Sequence, residues 1–152
     1  MTVKKIDLIK DLRNKTGVSL AECQKALNEA NNNILEAIEI LKKRGAQIAA
    51  DKKDRKTEQG LIDAYIHPNG KIGVLIEINC ETDFVAKSDD FKILVHEIAL
   101  QIAAMSPENI EKLLKQPYIK DENLIIEDLI HQLVVKIKEN INIKRFERFE
   151  ID

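Results

Sequence analysis

Tryptophan is missing from this chain of 152 residues, and the other aromatics are few: four Phe and two Tyr. Aliphatic packing must therefore build most of the core. Glycine is sparse at five residues, little material for phosphate-cradling loops, and neither a Gly-rich phosphate motif nor a Gly-x-Ser-x-Gly elbow occurs. Cys23 and Cys80 stand 57 positions apart with no Cys-x-x-Cys spacing. Both read as free thiols, buried or half-buried, and not as a disulfide framework. His67, His96 and His131 are scattered, and none is followed three or four positions later by a second ligand. No metal site and no cofactor is expected.

Neither sign of charge dominates. Lys and Arg number 24 against 26 Asp and Glu, a formal charge of −2, without the basic surplus of a dedicated nucleic-acid binder. No direct contact with nucleic acid is expected. No apolar run approaches the roughly 18 residues that span a bilayer, so no membrane association is expected either. Acids interrupt the lysines of the opening MTVKKIDLIKDLRNKTG, unlike a signal peptide. The expected location is cytoplasmic, with an organelle matrix as the alternative.

What is present has the balance of a globular domain, 44% hydrophobic and 33% charged. Val3, Ile6, Ile9 and Leu12 recur at helical spacing until Thr16-Gly17 stops the pattern. Ser19 caps a second helix, with Glu22 completing a capping box and Leu20, Cys23, Leu27 and Ala30 inward. Asn33 caps a third helix carrying Ile34, Ala37, Ile38 and Leu41, which Gly45 is expected to end. Residues 1–45 thus predict a three-helix domain. Residues 46–59 predict a charged linker: from Asp51 to Glu58 only Thr57 is uncharged, which suits a linker or a solvated helix extension.

From Leu61 the period becomes two. Ile62, Ala64 and Ile66 alternate, Pro68-Asn69-Gly70 supplies a hairpin turn, and Ile72, Val74, Ile76 and Ile78 make the antiparallel partner. A helix begins near Ser88, with Phe91, Leu94, Ile98, Ile102 and Met105 as its buried stripe. Ser106-Pro107-Glu108 starts a short helix, and residues 122–139 read as another, with Ile126, Leu129, Ile130, Leu133 and Ile137 inward. In the tail, Ile141, Ile143, Phe149 and Ile151 share strand parity but Phe146 does not, which predicts a bulge. Residues 60–152 form one core subdomain in this reading. The fold class is α+β: an N-terminal three-helix module, a linker, and a small three-stranded antiparallel sheet packed with helices.

No catalytic constellation is visible. A Cys80–His67 dyad on adjacent strands is conceivable, but nothing in the sequence activates it, and an enzyme is not expected. The informative stretch is Cys80-Glu81-Thr82-Asp83-Phe84-Val85-Ala86-Lys87, which puts Phe and Val where a strand hands over to a helix. Either these side chains staple the helix to the sheet, or Phe84 is an exposed anchor for a partner. Composition and periodicity leave both open.

Three blocks carry a resemblance. Leu12-Arg13-Asn14-Lys15-Thr16-Gly17 with Cys23-Gln24-Lys25-Ala26-Leu27, then Thr82-Asp83-Phe84-Val85-Ala86, then residues 136–146, KIKENINIKRF, together resemble the elongation factor Ts family in family order. The resemblance implies a guanine nucleotide exchange factor for elongation factor Tu in translation elongation. It implies that residues 1–45 are a ubiquitin-associated-like fold meeting the partner through Leu20 and Ala21. Thr82, Asp83, Phe84 and Val85 would form the main contact, Asp83-Phe84 entering near the partner's magnesium and phosphate sites, with Ile137 as a further contact. Many members read Lys-Ile-Gly-Glu-Asn late in the chain, where this sequence has Lys138 in place of Gly, and Gln24 replaces a residue often basic. Longer relatives continue with a second core subdomain and a coiled coil. The likeness here is to the short form, which implies a homodimer through the core sheet. The competing reading is a ubiquitin-associated-like adaptor that grips a helix or a ribosomal protein without exchange activity; it leaves the second and third blocks unexplained.

Overall fold

Three helices open the structure, a computed structural model describing residues 2–152: α1 (Val3–Thr16), α2 (Leu20–Glu29) and α3 (Ile34–Lys52). The hairpin strands β1 (Gln59–Ile66) and β2 (Ile72–Cys80) follow, then the single turn α4 (Asp83–Ala86) and the long α5 (Asp89–Met105). After α6 (Ile110–Lys115), a small hairpin of β3 (Pro117–Tyr118) and β4 (Asp121–Ile125) leads into α7 (Ile126–Ile137) and the last strand, β5 (Asn142–Glu150). The main sheet is antiparallel in the order β1-β2-β5. The α+β class read from the sequence is the class observed.

The helix starts follow their caps. Ser19 and Asn33 accept hydrogen bonds from the amides of Glu22 and Glu36, satisfying donors that the first helical turn cannot. Glu22 does not complete a capping box; its carboxylate turns to Lys25 and Arg44. Leu12, Cys23, Ala26, Leu27 and Ala37 close a small core between the three helices. Leu20, expected inward, is 47% exposed at the first position of α2.

Gly45 does not end α3, which runs on through Lys52. The apolar spacing continues past it through Ile48 and Ala49, and these two pack against the larger core. A Cβ on Gly45 would lie 3.6 Å from His131 and 3.7 Å from Val135 of α7. These are ordinary van der Waals distances, so Gly45 lies inside the helix facing α7 at a place where a methyl group would also fit. Residues 46–52, expected in the linker, are therefore helical, and the connection shortens to Lys53–Glu58.

Strand β1 has the opposite phase to the one read from its isoleucines. Leu61, Asp63 and Tyr65 pair with Ile78, Ile76 and Val74 on the face that α5 covers. Ile62, Ala64 and Ile66 point the other way and stay exposed. Both faces of β1 carry apolar residues, so alternation alone could not choose between them. The expected bulge is present: the β2–β5 register shifts between Glu77 and Ile78, so that Ile143 and Phe146 both reach the covered face while Phe149 does not.

Three further expectations need correction. Met105 is exposed, because α5 ends there in a left-handed Ser106. The short helix starts at Ile110 and not at Pro107, since the Asn109 side chain caps it through the Lys112 amide. Residues 122–125, expected to open a helix, belong instead to strand β4. The buried Gln101 side chain donates to the Pro117 carbonyl and accepts from the Ile119 amide, holding the β3–β4 hairpin in place. That tertiary contact overrides local propensity.

Candidate functional site

The sequence after β2 makes a corner. Cys80 ends the strand inside the core and donates its S–H to the Thr82 carbonyl at 3.2 Å. Thr82 then caps α4 by accepting from the Val85 amide at 3.3 Å. Ser88 closes the other end, donating to the Val85 carbonyl at 2.7 Å and capping α5 through the Phe91 amide. Between these two caps Val85 and Ala86 drop into the core, at 6% and 4% exposure. On a single helical turn, burying positions 85 and 86 turns 83 and 84 outward.

Phe84 is 86% exposed. A Phe side chain left in water forgoes about 1.5–3 kcal/mol of burial free energy, so the staple reading fails for Phe84 and holds for Val85 alone. Asp83 beside it pairs with Lys87 at 2.7 Å on the open surface, and this carboxylate raises the pKa of the lysine by hydrogen bond and charge. An exposed i,i+4 pair contributes little, so Asp83 can exchange Lys87 for another partner at small cost.

The corner is braced from a segment 57 residues away. Past the end of α7, Glu139 accepts from the amides of Glu81 and Thr82 at 3.1 and 3.0 Å through one oxygen. Its other oxygen accepts the Thr82 hydroxyl at 2.7 Å. The Asn140 amide returns a bond to the Glu81 carboxylate at 2.7 Å, and the Asn140 side chain donates to the carbonyls of Lys53 and Arg55. Arg55 in turn stands 3.6 Å from Glu81. Sequence reading missed these four residues, because their partners are remote in sequence. The signals available were that Glu81 lies in the Cys80–Lys87 stretch and that Glu139 and Asn140 fall inside the late matching block.

The expected contact residues are thus distributed. Thr82, Asp83 and Phe84 share one exposed corner, Val85 lies beneath it, and Ile137 is half-buried against the same core near the start of the brace. Leu20 and Ala21 lie on α2, in the module with its own core, and both are exposed. The Cys80–His67 dyad is not assembled: Cys80 lies opposite Gln59 at one end of the hairpin, and His67 follows the strand at the other. The pKa of the Cys80 thiol is pushed up to about 11, by burial first and then by the Glu139 charge. A cleft of about 430 Å³ runs between α3 and α7, but none of residues 82–85 lines it.

These features define a class: a two-core α+β scaffold whose most exposed aromatic side chain is presented on a convex, doubly capped and braced corner. The family model described as "Elongation factor TS" matches residues 81–152, from the corner and its brace to the end of β5. Proteins named elongation factor Ts are similar over most of the chain. That of Carboxydothermus hydrogenoformans is 39% identical over 95% of this chain and 87% of its own length. That of Thermotoga maritima is 41% identical, over 96% and 95% respectively. That of Nostoc sp. is 46% identical over 95% of this chain, which spans only 45% of that longer relative. The chain belongs to the elongation factor Ts family, the translation elongation factors that the resemblance pointed to. The alignments to the first two relatives run over 189 residues, more than the 152 of this chain, so those relatives hold residues that it lacks.

Proposed function

We propose that this protein is a guanine nucleotide exchange factor for elongation factor Tu, acting in the cytoplasm as a protein ligand and not as a catalyst of covalent chemistry. The observation that carries the proposal is Phe84, 86% exposed beside buried Val85 and Ala86 and fixed at both ends by caps. A corner whose backbone is already ordered loses less conformational entropy on docking, and the aromatic it presents can contribute much of the binding free energy of an interface. Asp83 stands next to it to perturb charge and hydrogen bonding beside the partner's magnesium.

The mechanism is linkage. A factor that binds more tightly to a partner conformation with a poor grip on GDP shifts the population toward that conformation. The coupling is reciprocal, so incoming nucleotide must expel the factor in turn. Leu20 and Ala21 on α2 and Ile137 near the brace are the proposed secondary contacts. Val85, being buried, acts by anchoring the corner. Stopped-flow release of fluorescent GDP from elongation factor Tu, with magnesium present, tests the proposal. Acceleration by this chain supports it, and a rate unchanged from spontaneous release rejects it.

The open face of the main sheet favours a second element, a homodimer. Ile62, Ile66, Leu75 and Phe149 lie on the face opposite α5, all more than half exposed, a contiguous apolar surface of the kind that marks an interface. Beside Ile62 the same face carries an ion pair, Glu77 of the central strand with Arg145 of β5 at 2.9 Å.

A further inference from the structure

A one-turn helix cannot hold its own shape, because nucleation costs more than one turn of hydrogen bonds returns. The direction in which α4 points Phe84 is therefore set by whatever grips its ends. Ser88 and the burial of Val85 and Ala86 grip the C-terminal end. At the N-terminal end the grip is the Glu139 carboxylate, which takes two backbone amides and the hydroxyl of the capping residue itself, all within 3.1 Å. Bonds to an ionised acceptor are stronger than neutral ones. The Glu139 side chain is itself half-buried, and its backbone is fixed between the left-handed Lys138 and an Asn140 tied to the Lys53 and Arg55 carbonyls.

We infer that Glu139 is the positioning residue for Phe84: it touches no partner, but it holds Thr82 so that α4 presents Phe84 in one orientation. Asn140, Glu81 and Arg55 extend the same brace to the segment that joins α3 to β1. The two regions proposed to meet the partner are thereby held to a common reference, the end of α7. This inference rests on the exchange reading above. It adds a residue whose effect on exchange runs through Phe84.

The test compares wild type, Glu139→Ala, Glu139→Gln, Phe84→Ala and the double variant Glu139→Ala/Phe84→Ala in GDP release from elongation factor Tu, each checked for folding by far-UV circular dichroism. A second readout uses the absence of tryptophan from the chain: Phe84→Trp gives a single indole reporter, whose time-resolved anisotropy reports local motion with and without Glu139→Ala. If Glu139→Ala leaves the presented conformer about one-tenth populated, the apparent affinity falls about tenfold. The expected result is a loss of that size, a smaller loss in Glu139→Gln, which keeps one oxygen for both amides but as a neutral acceptor, and no further loss when Glu139→Ala is added to Phe84→Ala. The indole should gain nanosecond motion in the Glu139→Ala background. Full activity of Glu139→Ala, or an equal loss with and without Phe84, overturns the inference and leaves the exchange reading standing. If wild type itself fails to accelerate release, the exchange reading falls. The anisotropy then decides alone: an indole that stays rigid without Glu139 overturns the positioning role, and one that loosens upholds it.

Discussion

Replacing Lys138 by glycine should stabilise this protein, although a glycine substitution normally does the reverse. Lys138 follows α7 at φ 60° and ψ 28°, a region that costs a residue with a Cβ about 1–2 kcal/mol. Its side chain is exposed, so its removal gives up little packing. Glycine's greater freedom in the unfolded chain takes back about 0.4–1 kcal/mol, leaving a net gain of about 0.5 kcal/mol. Valine at the same position meets a full β-branched penalty in the left-handed region, and should fall about 2 kcal/mol below glycine. At this chain length about 1 kcal/mol corresponds to about 2–4 °C, so the two variants should melt about 4–8 °C apart. Two residues earlier, Lys136 lies inside α7 and pairs with Asp90 at 2.8 Å. There glycine should cost about 1 kcal/mol. Thermal melting of all four proteins by circular dichroism, with urea titration for free energies, reads the reversal of sign. A Lys138→Gly protein that melts below wild type, or a Lys138→Val protein that melts with it, would refute the reasoning.

Other outcomes follow from the same structure. With its pKa raised to about 11 and its sulfur buried, Cys80 holds almost no thiolate at pH 8. Its labelling by a thiol reagent should be slow in the native state, become fast in denaturant, and speed up as pH rises toward 11; rapid native labelling at pH 8 would contradict the burial. On the open sheet face, Phe149→Lys should convert a dimer to monomer in sedimentation velocity with a folded far-UV spectrum. A wild-type monomer at tens of micromolar would remove the dimer proposal.

Legibility from sequence tracked the range of the interactions. Caps and turns at Ser19, Asn33, Gly17 and Gly70 were readable because donor and acceptor lie within a few residues. The β5 bulge was readable because Phe146 breaks the parity of Ile143 and Phe149. Gly45 misled because its helix-weakening tendency is local, whereas α3 is carried past it by Ile48 and Ala49 packing on the larger core. The phase of β1 was ambiguous because one face is apolar for its own core and the other carries Ile62 and Ile66 for something else. The β3–β4 hairpin was unreadable, since a side chain on α5 holds it. At the site, the motif located Phe84, but only coordinates could separate it from Val85, one inside and one outside. The Glu139 brace joins segments that no pattern connects.

The central claim is that Phe84 is presented in order to enter another protein, and nucleotide release measures it most directly. Phe84→Ala should melt within about 1 °C of wild type, since an exposed side chain contributes little to folding, while acceleration of GDP release from elongation factor Tu falls by at least about tenfold. That ratio corresponds to about 1.4 kcal/mol of lost coupling, within the burial free energy of one Phe. Undiminished acceleration by a folded Phe84→Ala protein would contradict the account.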